Sequence, residues 1–251
     1  MSDYPPEITE IVTETGLGTI VGRYRQLIAI EVSFAVAILA MALLFLVIGD
    51  GTGRGIGLVF LAVGVLFLIP SIRKARNYLY LCDNGLLIVT RGTVPTALAT
   101  WREVAHLRTW TTRMYSGEGV QDLSRCILEL RDGQKINLAK PPYANGAGIA
   151  EYVEECVTEV LLPRRAAKLA RTGTAGFGPI KLTRTGVRDG EKFAAWSEIT
   201  KVERSRVRLR IWTGDRAPTI SRQVRTLPDV AVLMTLIVDR LNPRLRPSSG
   251  R

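Results

Sequence analysis

Two apolar stretches near the N-terminus, VSFAVAILAMALLFLVIG (Val32–Gly49) and GIGLVFLAVGVLFLIPSI (Gly55–Ile72), decide the fold. Each contains 18 residues and no charged side chain. At a rise of about 1.5 Å per residue, each would form a helix of about 27 Å, close to the ~30 Å hydrocarbon core of a bilayer. The sequence therefore predicts transmembrane helices at residues 27–49 and 55–72. Glu31 would lie about one turn inside the first helix and is interpreted as interfacial, with a role between the helices left open.

The charges that flank the two stretches predict how they cross the membrane. Basic residues precede the first stretch and follow the second, at Arg23, Arg25, Arg73, Lys74 and Arg76. The loop between them, residues 50–54 (DGTGR), carries one arginine balanced by one aspartate. Because cytoplasmic flanks carry the excess of Lys and Arg, the N-terminal segment 1–26 and the C-terminus are both predicted to be cytoplasmic. The chain is therefore predicted to be a multi-pass protein of the cytoplasmic membrane with a short external loop.

After Asn77 the apolar residues alternate in short runs, which is typical of β-strands. Six strands are predicted, at Tyr78–Cys82, Leu86–Thr90, Thr96–Trp101, Ala105–Trp110, Cys126–Leu130 and Lys135–Ala139. Asn84-Gly85 and Asp132-Gly133 have the composition of tight hairpin turns. Apolar residues from Ile149 to Leu161 recur every three or four positions and predict an amphipathic helix. Residues 77–162 are therefore predicted to form one compact unit.

The rest of the chain repeats this pattern. The stretch GVRDGEKFAAWSEITKV (Gly186–Val202) matches residues 85–107 through a shared Gly-(Leu/Val) and a shared Trp-x-Glu-(Val/Ile). The stretch LPDVAVLMTLIVDRL (Leu227–Leu241) takes the place of the helix. A second unit of the same design is therefore predicted at residues 179–243. A basic connector would occupy residues 163–178, and a disordered tail would occupy residues 244–251.

Four motifs, GTIVGRYR, FGPIKLTRTGV, AAWSEITKV and TLPDVAVLMTLI, follow one another along the chain. Their order resembles that of a bacterial family of uncharacterised membrane proteins with pleckstrin-homology-like (PH-like) domains, and the resemblance covers nearly the whole chain. It implies an architecture and no reaction. The expected fold is an α+β membrane protein with an N-terminal two-helix transmembrane hairpin, followed by two tandem PH-like β-barrel units. Each unit would be closed by a C-terminal helix.

No stretch of the chain has the residue pattern of an active site. His106 is the only histidine, and a lone histidine favours a structural role. The three cysteines, Cys82, Cys126 and Cys156, form no CxxC pair, and each is interpreted as a small buried hydrophobe. The stretch GDGTGRGIG (Gly49–Gly57) lacks the glycine spacing of a dinucleotide-binding loop. We therefore predict a protein that is not an enzyme and has no catalytic residues, metal or cofactor.

Trp101 and Trp196 occupy equivalent positions in the two copies of the repeat, each two residues before a glutamate. A tryptophan carries a large apolar surface and one hydrogen-bond donor. Because both copies have it, a shared packing role is favoured over a ligand-binding role.

The basic charge is concentrated in the last third of the chain. The net charge is +11, and residues 161–251 hold 20 Lys and Arg against 7 Asp and Glu. In ERSRVRLRIW (Glu203–Trp212), arginine occupies every second position: Arg204, Arg206, Arg208 and Arg210. The alternation predicts one strand with Val207, Leu209 and Ile211 facing the core and four arginines on the outer face. Arg216, Arg222 and Arg225, beyond the next turn, would widen this basic patch.

The basic patch predicts contact with a negatively charged partner. Anionic lipid heads of the inner leaflet are one candidate, because the hairpin would hold the patch beside them, and an acidic protein is the other. Nucleic acid is disfavoured, since the chain has no helix-turn-helix or RNP-type motif. The predicted function is a membrane-anchored, non-catalytic binding or scaffold protein.

An alternative is an accessory subunit of a transport or signalling complex, assembled with other transmembrane helices as partners. Small residues on both apolar stretches permit close helix contacts. They are Ala35, Ala37, Ala40, Ala42, Gly57 and Gly64. These residues would equally serve contacts inside the hairpin itself.

Overall fold

The computed structural model describes residues 4–116 and 119–242. They fall into two compact units, residues 4–98 with 141–144 and residues 99–116, 119–140 and 145–242. The first unit is built from α1 (Pro6–Glu14), β1 (Ile20–Arg25), α2 (Ala29–Ile48), α3 (Gly51–Lys74), β2 (Tyr78–Cys82), β3 (Gly85–Thr90) and β4 (Val94–Thr100), whose last two residues belong to the second unit. The strands form one antiparallel sheet in the order β1-β2-β3-β4.

The second unit contains three antiparallel sheets and two helices. Its elements are β5 (Val104–Ser116), β6 (Gly119–Leu130), β7 (Lys135–Asn137), α4 (Gly146–Thr172), β8 (Thr174–Phe177), β9 (Ile180–Thr183), β10 (Gly186–Asp189), β11 (Lys192–Ala195), β12 (Lys201–Arg204), β13 (Arg208–Trp212), β14 (Ile220–Gln223) and α5 (Val230–Leu241). The sheets have the orders β5-β6-β7, β11-β10-β9-β8 and β12-β13-β14. The fold is therefore α+β, and no closed barrel is found among the described strands.

The first sheet begins before the apolar helices, which corrects the predicted boundary at residue 77. β1 pairs with β2 in antiparallel register, with Arg25 opposite Tyr78 and Tyr24 opposite Leu79. Ile20–Arg25 therefore belong to this sheet and are not part of a separate N-terminal segment. The pairing brings the start of α2 and the end of α3 to the same end of the paired strands β1 and β2.

Helix α1 supplies the apolar cover of the first sheet. Ile8 and Val12, four residues apart on one helix face, are buried together with Leu17. They pack against the fully buried ring of Tyr80 and the side chain of Leu87. Pro6 begins the helix, where its missing N–H leaves no backbone hydrogen bond unmade.

The two apolar stretches form α2 and α3, and both helices are long and apolar enough to cross a membrane. The predicted loop 50–54 is shorter than expected, because α3 already begins at Gly51. The physical reason is a helix cap, since the Asp50 side chain accepts a hydrogen bond of 3.0 Å from the Gly53 N–H. At the opposite end of the hairpin, Glu31 pairs with Lys74 at 2.8 Å.

The small residues of the hairpin pack α2 against α3. Gly57 and Gly64 of α3 are buried, as are Ala35 and Ala42 of α2. A Cβ atom at Gly57 would lie 2.8 Å from Leu46 Cγ and 3.1 Å from the Ala42 carbonyl oxygen. These residues therefore serve contacts inside the hairpin, whereas Ala37 and Ala40 are exposed on its outer side.

The order of the elements repeats along the chain, and each copy starts earlier than the predicted residues 77 and 179. Each copy runs through four consecutive antiparallel strands (β1–β4 or β8–β11), then three (β5–β7 or β12–β14), then one helix (α4 or α5). The first copy spans the two compact units, and the second copy lies within the second unit. The α2–α3 hairpin is inserted between the first and second strands of the first copy.

The predicted connector 163–178 is not a separate segment. Helix α4 continues through Pro163 to Thr172, and β8 occupies residues 174–177. A proline in a helix interior removes one backbone hydrogen bond, and here burial on both sides of it holds the helix together, at Leu161 and Leu169. The tail predicted at 244–251 lies outside the described residues.

Candidate functional site

The arginine-rich stretch 203–212 forms a hairpin rather than the single strand that its alternation predicts. β12 ends at Arg204 and β13 begins at Arg208. Ser205 closes the turn between them, because its N–H and its hydroxyl both donate to the Arg208 carbonyl oxygen, at 2.8 and 3.0 Å. The alternation of arginines therefore runs through a turn, and residues in a turn do not share one face of a sheet.

The turn divides the predicted arginine face in two. In the paired strands Arg204 lies opposite Leu209, while Glu203 lies opposite Arg210. Paired residues share a face of the sheet, so Arg204 shares the face of buried Leu209 and Arg210 lies on the other face. Leu209 and Ile211 are buried as predicted, but Val207 is 59% exposed at the tip of the hairpin.

Arg204 points inward and is neutralised there. Its guanidinium donates to both carboxylate oxygens of Glu154 on α4, at 2.8 and 3.1 Å, and to the Thr109 hydroxyl at 3.3 Å. A bidentate contact of this kind combines charge with fixed geometry. Arg204 therefore ties β12 to α4 and β5. The prediction that it faces outward with Arg206, Arg208 and Arg210 is wrong.

Arg222 is also paired within the protein. On β14 it lies opposite Leu209 of β13. Its guanidinium donates to both carboxylate oxygens of Asp189, at 2.6 and 2.8 Å. The Asp189 side chain is almost fully buried. This hydrogen bonding, together with the negative charge of Asp189, raises the pKa of the Arg222 guanidinium. The contact links two sheets of the second copy, so Arg222 has a structural role.

The remaining predicted arginines lie at the surface. Arg206 forms an ion pair with Asp122 on β6. Arg210 Nη1 lies 3.7 Å from Glu203 Oε1. Arg208 is exposed and donates to the Ser221 hydroxyl at 3.2 Å. Arg216 is exposed in the loop that follows β13. Among the residues that the structure describes, neither Arg208 nor Arg216 has a carboxylate partner.

Two clefts flank the hairpin tip and share Trp110, Thr111 and Arg206 as lining residues. The larger has a volume of ≈ 410 Å³ and contains both Arg204 and its carboxylate partner Glu154. The smaller has a volume of ≈ 280 Å³ and is lined by apolar Trp110 and Val207 beside the basic residues Arg113, Arg206 and Arg225. The smaller cleft therefore combines positive charge with apolar surface.

A buried polar cluster in the second unit has no clear signal in the sequence. Asp229, whose side chain is fully buried, accepts hydrogen bonds from Arg165 at 2.7 Å and from the Leu107 N–H at 2.7 Å. His106 Nδ1 lies 3.0 Å from the same carboxylate. The cluster joins α4, β5 and the start of α5. His106 therefore has the structural contact that the sequence favoured.

The thiols and tryptophans take structural positions. Burial raises the pKa of the Cys82 thiol to about 11 and that of Cys126 to about 12, so both remain protonated at neutral pH. Trp101 is buried, and the Trp196 indole N–H donates to the Thr183 carbonyl oxygen at 3.2 Å. Within residues 4–116 and 119–242, no three His, Cys, Asp or Glu side chains are grouped to hold a metal ion.

Comparison with known proteins places the chain in a family. No curated protein matches its sequence. The model of a family of unknown function (DUF6585) matches residues 7–244, from α1 to beyond the end of α5. Since this match covers nearly the whole length, the chain belongs to the DUF6585 family.

Proposed function

We propose that this chain is a membrane-anchored, non-catalytic binding protein, and that the basic hairpin of its second copy contacts anionic lipid heads. One observation carries the proposal. Arg208, Arg216 and Arg225 carry positive charge at the surface without a carboxylate partner among the described residues. Arg208 adjoins the exposed apolar tip at Val207 and Arg225 lines the same cleft as Val207, whereas Arg216 lies beyond the other end of β13. An apolar tip beside arginines suits the boundary between headgroups and acyl chains.

Membrane anchoring is supported by the surface of α2 and α3. Large apolar side chains on both helices are exposed, among them Leu43, Val47 and Leu66 at 63%, 71% and 70%. Such a surface is costly in water and favourable in lipid. Since β1 pairs with β2, a hairpin that crosses the membrane twice would have both of its flanks on one side. The basic residues at those flanks favour the cytoplasmic side.

The PH-like assignment is supported by the element order. Each copy has four strands, then three strands, then a C-terminal helix. We interpret each copy as a PH-like unit, the first of which carries the membrane hairpin. In this interpretation the second copy presents the basic hairpin.

The ion pairs set the strength of the proposed lipid contact. Arg204 and Arg222 are each held by a carboxylate with two hydrogen bonds and do not contribute. Each free arginine near an anionic surface would add about 1 kcal/mol, and this attraction would decay within a Debye length of about 8 Å at physiological salt. The contact would therefore be electrostatic, salt-dependent and carried by few residues.

The test uses the full chain in vesicles of mixed phosphatidylglycerol and phosphatidylcholine. Val207→Cys, in a Cys156→Ser background, carries an environment-sensitive fluorophore at the hairpin tip. We expect a blue shift in the anionic vesicles at low salt, its loss at high salt, and no shift with phosphatidylcholine alone.

A charge-matched pair of triple variants completes this test. Arg208→Gln, Arg216→Gln and Arg225→Gln together should remove the blue shift. Lys181→Gln, Arg184→Gln and Lys192→Gln remove the same charge from exposed positions of another sheet and should preserve it. Equal behaviour of the two variants, or an unshifted wild type, would contradict lipid contact and leave an acidic protein as the ligand of this surface.

A further inference from the structure

We propose that the first unit contains a second, distinct site, which binds the phosphate headgroup of one anionic phospholipid at the C-terminal end of α3. This inference rests on the membrane insertion proposed above. Arg73, Arg76 and Arg91, together with Ile69 and Ile72, line a cleft of ≈ 450 Å³. This volume is in the range of about 300–1,000 Å³ that is usual for small-ligand sites.

The fold brings Arg91 to the cleft from a different part of the chain. Arg91 lies in the turn between β3 and β4, in the left-handed region with φ 54°. Its N–H donates to Asn77 Oδ1 at 3.2 Å, and the Gly92 N–H donates to the Arg76 carbonyl oxygen at 2.7 Å. A left-handed conformation is unfavourable for a bulky side chain, so the turn is held there by its contacts with the end of α3.

The positive charge of the cleft is not compensated by the protein. In the part of the chain that the structure describes, none of the three guanidinium groups pairs with a carboxylate. Glu31, at the same end of the hairpin, is occupied by Lys74 at 2.8 Å. This leaves three arginine side chains available for an external anion.

The backbone at the end of α3 does not offset this charge. Terminal carbonyl groups of a helix ordinarily repel anions. Here the Ala75 carbonyl oxygen accepts a hydrogen bond of 2.9 Å from Arg25 Nε, and the Arg76 carbonyl oxygen accepts from Gly92. These carbonyl groups are therefore already engaged, which reduces their repulsion of a phosphate.

The composition of the cleft selects a phospholipid over a free phosphate. Guanidinium groups match phosphate oxygens with two parallel hydrogen bonds. Ile69 and Ile72, on the last turns of α3, are 46% and 52% exposed beside them. With α3 in the bilayer, these isoleucines would contact acyl chains while the arginines contact the headgroup. A ligand with both parts fits this surface better than an inorganic anion.

The experiment is native mass spectrometry of the full chain in detergent, with phosphatidylglycerol, phosphatidylcholine and inorganic phosphate added in separate titrations. We expect one phosphatidylglycerol molecule to be retained in preference to phosphatidylcholine. Arg91→Asn should weaken its binding at least about tenfold, because a charge-assisted contact to phosphate is lost. Asparagine tolerates the left-handed conformation, so the turn is expected to survive.

Control variants separate this site from diffuse charge and from the proposed function. Arg54→Gln removes a charge at the opposite end of α3 and should leave retention of the single phosphatidylglycerol molecule unchanged. Arg91→Lys should restore part of the binding. The double variant Arg73→Gln and Arg76→Gln should lose it without altering the Arg91 turn.

Three results would overturn the proposed site. The first is that Arg91→Asn and Arg54→Gln bind phosphatidylglycerol equally well. The second is that the wild type binds phosphatidylglycerol and phosphatidylcholine equally well. The third is that millimolar inorganic phosphate displaces the bound phosphatidylglycerol. Whether Arg91→Asn and the wild type stay in the membrane fraction is measured in a separate extraction experiment. A variant that stays in the membrane fraction while losing the lipid locates the effect at the cleft. A wild type that is extracted as a soluble protein refutes the anchoring instead.

Discussion

The two copies of the strand plan differ most at the connection between their first and second strands. In the second copy β8 and β9 are joined by a two-residue turn, Gly178-Pro179, and Gly178 takes the left-handed conformation that such a turn uses (φ +63°). In the first copy the same connection contains α2 and α3. A sheet that closes with two residues in one copy does not need the helices in the other, so the hairpin is an insertion into a β-turn.

The residues that flank the insertion still behave as a turn. The Gln26 N–H donates to the Asn77 carbonyl oxygen at 3.1 Å, and Asn77 Nδ2 donates to Gln26 Oε1 at 2.8 Å. Beyond them, Arg25 pairs with Tyr78. Gln26 and Asn77 are therefore placed like the two central residues of a hairpin loop that the helices interrupt.

The largest expected effect is that of removing the insertion. Deleting residues 27–76 joins Gln26 to Asn77 and restores a two-residue loop like that of the second copy. We expect the shortened protein to be soluble without detergent and to have the circular-dichroism spectrum of a strand-rich protein, because β1 and β2 keep their pairing.

A deletion two residues longer provides the control. Removing residues 26–77 joins Arg25 directly to Tyr78 and leaves no residue to form a turn between paired positions. This variant should aggregate or lose strand content. Equal solubility and equal spectra of the two deletions would show that the β1–β2 pairing does not hold the first sheet together.

A smaller difference between the copies lies at the start of their closing helices. Asn145 before α4 and Asp229 before α5 both adopt left-handed conformations, with φ 57° and 53°. Asn145 accepts a hydrogen bond from the Gly148 N–H of its own helix at 3.3 Å. Asp229 instead accepts from Arg165 and from the Leu107 N–H. The first residue caps its own helix, and the second joins several elements of the second unit.

Substitution of these two residues should separate the two roles. Asp229→Ala leaves the largely buried Arg165 without its partner and should reduce the free energy of unfolding by about 3–5 kcal/mol. Asn145→Ala removes only a helix cap and should cost about 1 kcal/mol. All four tryptophans lie in the second unit, so chemical unfolding of the full chain in detergent, followed by tryptophan fluorescence, reports on it. Equal losses would contradict the joining role of Asp229.

Local sequence signals predicted the local elements of this fold. β2 has the predicted bounds, Tyr78–Cys82, because this apolar run is followed directly by a two-residue turn. The turn is Asp83-Asn84, one residue earlier than predicted, since Gly85 already belongs to β3. β1 was not predicted, although IVGRYR also alternates in burial, since its partner strand lies beyond two long helices. Pairing between distant segments leaves no local mark, so the extent of the first sheet could not be deduced from the sequence.

The arginine positions show the same limit at the candidate site. Alternation identified Leu209 and Ile211 as core residues, but it could not show that Ser205 closes a turn between Arg204 and Arg208. Nor could it show which arginine meets a carboxylate. Glu154 lies on the predicted amphipathic helix, and in the structure it pairs with Arg204. The partner of a charged side chain depends on the tertiary fold, which the period of a strand does not contain.

The central claim is that the α2–α3 hairpin crosses a membrane and returns. Strands β1 and β2, which flank this hairpin in the chain, would then lie on the same side of the membrane. The most direct test places a reporter active only outside the cytoplasm at Thr52, beside the helix connection, and compares it with cytoplasmic reporters at each terminus. Activity of all three is the predicted result. Termini on opposite sides of the membrane, or a Thr52 position on the same side as both, would contradict the account.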